Sequence, residues 1–120
     1  MYGIIATWRM ALEGISKADS MLKNNESAAD SIEEAIKAVE DFEYYKSVGY
    51  GGLPNEEMEV ELDAAFMDGD TLEFGCVGGV KDFANPVSIA RSLMHYDANN
   101  FLVGQGAEKY ASRHGFERKT

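Results

Sequence analysis

Residues 47–70 read SVGYGGLPNEEMEVELDAAFMDGD, a glycine-rich bend followed by alternating polar and apolar residues. The alternation over residues 59–67 is typical of a strand with one buried face, and Asp68-Gly69 follows it at once. Because Asp-Gly between two such runs is a strong hairpin signal, we expect residues 71–80 to form the return strand. Asp63 lies inside the first of these strands, where we expect it to hold backbone rather than to catalyse.

The glycines Gly49, Gly51 and Gly52 fit neither common phosphate-binding pattern. A P-loop closes with Gly-Lys-Ser/Thr, whereas Leu53-Pro54-Asn55 follow here. The dinucleotide fingerprint needs a strand before it and a helix after it, and the order here is reversed. Nucleotide binding is therefore disfavoured, and the glycines suit positive φ angles or a close approach of backbone to another group. Whether the carbonyls of residues 51–55 hold a monovalent cation is left open.

Two helical patterns precede the bend. Apolar residues recur every three or four positions over residues 9–22 and again over residues 28–42. Ser27 and Asp30 have the spacing of a capping box at the start of the second helix, which we expect to end near Tyr44. The charged residues that we expect to face water on this second helix are Glu33, Glu34, Lys37 and Glu40.

The two ends of the chain add further elements. The apolar, β-branched residues 2–8 predict a buried strand. Asn85 before Pro86 predicts a helix start. Residues 100–104 suit a short strand, and residues 106–114 suit a last helix with Gly115 as its C′ residue. The order β-α-α-β-β-α-(β)-α predicts an α+β protein that forms part of a larger layered structure.

Composition limits the partners and the compartment. The 120 residues correspond to about one domain, and their formal charge of −10 repels polyanions, so we expect no nucleic-acid partner. A single cysteine, Cys76, allows no internal disulfide and favours a reducing compartment. The chain shows neither a signal-peptide pattern nor a run of roughly 18 apolar residues. We expect a cytoplasmic protein that does not enter a membrane.

The residues that commonly carry chemistry are sparse. His95 and His114 are far apart in sequence and Cys76 has no ligand at a useful spacing, so we expect no metal site and no cofactor. The Gly-x-Ser-x-Gly pattern of serine hydrolases does not occur. Trp8, the only tryptophan, is by default a core residue, although at a strand end it would equally suit a pocket wall.

Five segments taken together resemble a known family. In order along the chain they are IIATW, SVGYGGLPNEE, VELDAAFMDGD, GCVGGVKDFANPVSIARSLM and NFLVGQGAEKYASRHGF. They are similar to the α-chain of glycosylasparaginase and, more widely, to the threonine-type asparaginases and isoaspartyl peptidases. Trp8 and the complete glycine loop favour the glycosylasparaginase branch over the plant-type asparaginases.

The resemblance implies a fold and a reaction. The fold is an N-terminal nucleophile hydrolase, an αββα sandwich, of which residues 1–120 would be the α-chain portion of a single domain. The precursor cleaves itself before a threonine that becomes the first residue of a β-chain. That threonine attacks a β-aspartyl amide, such as glycosyl-asparagine, asparagine or a β-aspartyl peptide, and its α-amine accepts the proton. The implied assembly is a homodimer of αβ units.

The nucleophilic threonine is absent from this sequence. Thr7 and Thr71 lie in the predicted first strand and hairpin, and Thr120 is the last residue. No catalytic residue is therefore assigned to this chain, which we expect to be inactive without its β-chain. The alternative is a truncated, non-catalytic interaction module with the same half-fold.

Supporting roles can be carried over by position from the resemblance. Trp8 corresponds to a tryptophan that lines the substrate pocket. Ser47 corresponds to a serine that supports the nucleophile by hydrogen bonding, and Thr7 is a weaker candidate for the same support. In this interpretation the bend at Gly49, Gly51 and Gly52 brings backbone close to the catalytic centre.

Overall fold

A computed structural model of the chain describes residues 1–119. Its elements form one three-stranded sheet and four helices, preceded by a 3₁₀ turn, Arg9–Ala11. The protein is therefore α+β, as predicted, and the described residues contain one sheet of the expected two. In chain order the elements are α1 (Leu12–Lys23), α2 (Ala28–Glu40), β1 (Leu62–Met67), β2 (Phe74–Val80), α3 (Pro86–Leu93), β3 (Phe101–Val103) and α4 (Gly104–Arg113).

The predicted hairpin is confirmed. Strands β1 and β2 pair antiparallel, with Met67 opposite Phe74, and β3 pairs parallel to the far side of β2. The register shifts after Leu62, and Asp63 spans the irregularity because its Oδ1 accepts the N–H of Gly79 at 2.9 Å. Asp63 thus holds backbone, as its position inside a strand predicts.

One face of the sheet is covered and the other is open. Phe66 and Val77 point inward and pack with the buried faces of α3 and α4, which contribute Leu93 and Ala111 among others. Alternate residues point to the opposite face, because strand side chains alternate. That open face carries apolar side chains between 44% and 59% exposed, namely Met67, Phe74, Phe101 and Val103.

The strand predicted for residues 2–8 is wrong for the described part of the chain. Residues 1–6 have no regular secondary structure and a bend follows at residues 7–8, although Trp8 keeps an extended backbone with φ −120° and ψ 145°. A strand is defined by its hydrogen-bonded neighbour, and no described strand pairs with this segment. The segment is apolar, but within residues 1–119 it has no neighbouring strand with which to form a ladder.

The helix ends agree with most of the capping signals. Ser27 Oγ accepts the N–H of Asp30 at 3.0 Å, which confirms the start of α2. The Asp30 carboxylate does not complete the capping box; it pairs with Arg91 of α3 at 2.7 Å. After α4, Gly115 has φ +86° and the N–H of Phe116 donates to the carbonyl of Ala111 at 3.0 Å, as a Schellman motif requires.

The prediction that Glu40 faces water is wrong. Helix α2 ends at this residue rather than near Tyr44, and Glu40 is 3% exposed instead of facing water. Its Oε2 accepts the N–H of Val87 at 3.2 Å, and its Oε1 accepts from Nδ2 of Asn85 at 3.2 Å. The first turn of a helix has unpaired N–H groups and a partial positive charge, both of which a carboxylate satisfies. Glu40 therefore caps α3 from another helix, while Asn85 stands at the N-cap position without a side-chain cap of its own.

Burial raises the pKa of Glu40 to about 7. Removal of the carboxylate from water is the main cause, and neighbouring Asp41 adds to it. The hydrogen bonds from Asn85 and Val87 act in the opposite direction, as does the charge of Lys37. The free-energy cost of burying the charged carboxylate thus exceeds the stabilisation that these partners provide.

The glycine loop, defined here as residues 46–53, packs on the end of α2. A Cβ on Gly49, whose φ is +80°, would overlap the carbonyl of Glu40, and a Cβ on Gly51 would overlap the carbonyl of Glu43. Two internal hydrogen bonds close the loop: Gly52 N–H donates to the Gly49 carbonyl at 2.9 Å, and Leu53 N–H donates to the Lys46 carbonyl at 3.1 Å. Glycine is required at positions 49 and 51 because the backbones touch there.

We predict that Glu40 makes stability fall between about pH 4.5 and pH 7. The folded state holds the Glu40 proton more tightly than the unfolded chain, so this contribution is complete below the unfolded pKa of 4.5 and is lost as the pH rises to about 7. The free energy of unfolding should change by at most roughly 3 kcal/mol over this range. Glu40→Gln does not titrate, so urea unfolding of the two proteins across this range should give curves that diverge; parallel curves would contradict the assignment.

We predict that Gly49→Ala destabilises the protein by about 2 to 4 kcal/mol, because it adds a left-handed alanine and a backbone overlap. Gly106→Ala is the matched control. Its Cβ meets nothing within 4 Å and the position is helical, so we expect no loss and a gain of up to about 1 kcal/mol. Thermal unfolding of both variants measures the difference, and wild-type stability for Gly49→Ala would refute the packing described here.

Candidate functional site

An apolar groove of about 740 Å³ lies between the N-terminal segment and the helices α1 and α2. Both Thr7 and Trp8 line it, and Trp8 is 52% exposed rather than part of a closed core. The helices contribute aliphatic side chains that the described residues leave partly uncovered. The other lining residues are Tyr2, Gly3, Ile4, Ile5, Ala6, Met10, Ala11, Ile15, Leu22, Ala28, Ile32, Ala35, Ile36, Val39 and Val48.

A side-chain contact fixes the start of the N-terminal segment to α1. The hydroxyl of Tyr2 donates to Oδ1 of Asp19 at 2.6 Å. This hydrogen bond raises the pKa of Tyr2 and lowers the pKa of Asp19, whose other oxygen pairs with Lys23 at 3.0 Å. The groove is thus bounded on one side by an extended segment that is tied to the helix pair.

Ser47 approaches this groove through its neighbour. Val48 lines the groove together with Thr7 and Trp8, whereas Ser47 itself is exposed and is not among the lining residues. The structure therefore brings the glycine loop and the Trp8 segment to one region. A hydrogen bond between Ser47 and a nucleophile stays a prediction, as does the support from Thr7.

The observed close approach of Gly49, Gly51 and Gly52 is to the helix α2 and to the loop itself. Gly49 and Gly51 meet backbone carbonyls of Glu40 and Glu43, and a Cβ on Gly52 would lie 3.0 Å from the Gly49 carbonyl oxygen. This contact packs the loop against the end of α2 next to Val48, which lines the groove. The further approach of these glycines to a catalytic centre stays a prediction.

One carbonyl of the loop, that of Gly51, has a cationic partner. Nζ of Lys46 donates to the Gly51 carbonyl at 3.1 Å and to the Glu43 carbonyl at 3.3 Å. The next residues are held by Asn55, whose Oδ1 accepts the N–H groups of Glu57 and Glu59 at 2.9 and 3.1 Å. An ammonium group therefore already contacts the Gly51 carbonyl, one of those considered for a monovalent cation.

No imidazole lies in the groove within residues 1–119, and both histidines have other contacts. His95 is 3.6 Å from the carboxylate of Glu73, and the ring of His114 stacks on Tyr110 with centroids 4.0 Å apart. The same part of the chain contains no cluster of three His, Cys, Asp or Glu residues that could hold a metal ion. The groove combines an aromatic ring, the hydroxyl groups of Tyr2 and Thr7 and apolar walls, a lining typical of ligand-binding surfaces.

Sequence reasoning missed Glu40, although a signal for it was present. Glu40 follows Val39 and lies four residues after Ile36, so it falls at the edge of the apolar stripe of its helix. A carboxylate at such a position has to find buried partners. Nothing in the local pattern identifies Asn85 and Val87, 45 and 47 residues away, as those partners.

No helix within residues 1–119 is long and apolar enough to cross a membrane. This finding concerns the helices of the described residues alone. The predictions of a cytoplasmic location and of no nucleic-acid partner stay predictions.

Residues 5–120 match the asparaginase family Asparaginase_2. The chain is 34% identical over 116 residues to the N(4)-(beta-N-acetylglucosaminyl)-L-asparaginase of Elizabethkingia miricola. It is also 40% identical over 107 residues to the isoaspartyl peptidase/L-asparaginase of Rattus norvegicus, and 38% identical over 114 residues to the plant-type L-asparaginase of Thermococcus kodakarensis.

These alignments cover most of the chain but little of the relatives. They include 97%, 86% and 95% of this chain and 34%, 32% and 33% of the three relatives, so the chain spans about a third of their length. The three similarities are of comparable size, and the preference for the glycosylasparaginase branch stays a prediction. The resemblance found in the sequence is nevertheless confirmed, and the chain belongs to the asparaginase family Asparaginase_2.

Proposed function

We propose that residues 1–120 are the α-chain portion of one N-terminal nucleophile domain that hydrolyses β-aspartyl amide bonds. The observation that carries the proposal is the shared groove: Thr7, Trp8 and Val48, the neighbour of Ser47, surround one apolar space. These are the segments to which the resemblance gives supporting roles. Family membership makes amide hydrolysis the chemistry to test first.

The proposed nucleophile is the first residue of a β-chain from the same precursor. Its threonine hydroxyl attacks the β-amide carbonyl, and its own α-amine accepts the hydroxyl proton. The tetrahedral intermediate expels the amine of the substrate, which takes up that proton, and leaves a β-aspartyl ester. Water then attacks the ester, releases aspartate and restores the threonine. This arrangement needs no histidine, in keeping with the position of both described histidines away from the groove.

The roles proposed for this chain are binding and support. The Trp8 ring, half exposed at the groove, offers a flat apolar wall to the substrate. The Ser47 hydroxyl is exposed and carries both a donor and an acceptor, so it suits a hydrogen bond to the threonine hydroxyl. The glycine loop, held against Glu40 and Glu43, fixes the position of Ser47 before the substrate arrives.

Two uncovered apolar surfaces support a larger assembly. The open sheet face carries Met67, Phe74, Phe101 and Val103, and an αββα sandwich would cover it with a second sheet. The groove exposes the aliphatic side chains of α1 and α2 on another part of the molecule. We propose that the β-chain covers the sheet face and that two αβ units form the homodimer.

We predict that this chain gains activity only with a β-chain that begins with threonine. The measurement is release of aspartate from N4-(N-acetylglucosaminyl)-asparagine, asparagine and a β-aspartyl dipeptide. The completed enzyme should hydrolyse at least one of the three, and this chain by itself should hydrolyse none. Replacement of the first β-chain residue by alanine is the control and should abolish turnover. A folded, threonine-bearing pair with no turnover would instead favour the non-catalytic interaction module.

We predict that substitutions of Trp8 and Ser47 affect different kinetic constants. In the completed enzyme Ser47→Ala should lower kcat by roughly 5- to 30-fold, since it removes a hydrogen bond worth about 1 to 2 kcal/mol to the nucleophile. Trp8→Ala should mainly raise KM, because it removes contact made equally to the bound substrate and the transition state. Ser112→Ala and Tyr44→Ala, at exposed positions outside the groove, are the matched controls. Wild-type kinetics for Ser47→Ala would exclude its role.

A further inference from the structure

The side chain of Glu40 ties the last turn of α2 to the first turn of α3. One carboxylate oxygen accepts from Asn85 Nδ2 and the other from Val87 N–H, both at 3.2 Å. Asn85 Nδ2 also donates to Oδ1 of Asp41 at 2.8 Å. Helix α3 is itself buried against the sheet. The end of α2 is therefore fixed relative to the core of the molecule.

The backbone carbonyls of Glu40 and Asp41 contact the glycine loop. Gly49 lies so close to the carbonyl of Glu40 that no Cβ fits between them. The hydroxyl of Tyr50 donates to the carbonyl of Asp41 at 3.2 Å. A movement of the last turn of α2 would therefore move residues 49 and 50 with it.

Ser47 is two residues before Gly49, and Val48 between them lines the groove. We propose that Glu40 is a positioning residue for the reaction: its side chain fixes the end of α2 to α3, and its backbone thereby sets the position of Ser47 at the groove. This inference rests on the proposed function, because it assigns a role to Glu40 within that site. Glu40 is not itself among the residues that line the groove.

A second polar link between the same two helices provides a matched control. Glu33 of α2 accepts hydrogen bonds from Ser88 Oγ and from Arg91, both on α3. It lies seven residues, about two helical turns, before Glu40. The close backbone contacts of the loop glycines are with Glu40 and Glu43 and do not include Glu33. Glu33→Gln therefore weakens the contact between α2 and α3 without disturbing the loop directly.

The substitution Glu40→Gln changes this contact with little change in volume. The glutamine amide group has a donor end, and both partners of Glu40 are donors, so either Asn85 or Val87 is left facing another donor. The end of α2 should consequently shift away from α3. Gly49 should shift with it, because their backbones are in contact.

The test compares Glu40→Gln and Glu33→Gln in the completed enzyme with its β-chain. We expect Glu40→Gln to lower kcat about tenfold or more, since small misplacements of supporting groups are costly, while KM changes less than about twofold. Hydrogen exchange of the Gly52 and Leu53 amides, which close the loop, should become faster. Glu33→Gln should leave kcat and the exchange of these two amides at wild-type values. Equal loop exchange in the two variants overturns the proposal, whatever the kcat values.

Two further comparisons distinguish failure of this inference from failure of the proposed function. If Glu40→Gln does not assemble, Asn85→Ala replaces it, because this change removes one donor and leaves the Val87 N–H in place; unchanged loop exchange in Asn85→Ala then overturns the proposal. If the wild-type enzyme hydrolyses none of the three β-aspartyl amides, the proposed function fails and the catalytic role of Glu40 fails with it. The exchange comparison still decides whether Glu40 holds the loop. With an active wild type, failure of the inference alone appears as matching behaviour of the two glutamine variants.

Discussion

The buried carboxylate of Glu40 at the start of α3 is the contact on which the proposed arrangement of the candidate site depends. It joins the helix pair α1 and α2 to the sheet core, and its own backbone supports the glycine loop. Burial raises its pKa to about 7, because the carboxylate is removed from water.

The elements that have strong local signals could be predicted from the sequence. Ser27 begins α2, Asp68-Gly69 turns the hairpin, and Gly115 ends α4, because each depends on backbone groups a few residues away. The two wrong predictions, a strand at residues 2–8 and a water-facing Glu40, depend instead on which groups lie beside these residues in the folded chain. Local periodicity indicates the type of element and the face on which a residue lies, but it does not show which distant residue packs against that face.

The candidate site shows the same division. Residue types suit Trp8 to a core or a pocket and disfavour phosphate loops, but only the family resemblance connects Trp8 with Ser47. The structure then brought Thr7, Trp8 and Val48 to one groove. The glycines Gly49 and Gly51 were correctly predicted to allow close approach, and the group that they approach proved to be the end of α2. The chemistry could not be read from these residues because the proposed nucleophile belongs to another segment.

The central claim is that this chain forms one wall of a cavity whose reactive hydroxyl belongs to its β-chain. The most direct measurement is a crystal structure of the completed αβ enzyme with aspartate bound. The account predicts that Trp8 contacts the ligand and that Ser47 Oγ lies within hydrogen-bonding distance of the hydroxyl of the first β-chain residue. A structure in which Trp8 and Ser47 face separate regions, with the ligand near neither, would contradict it.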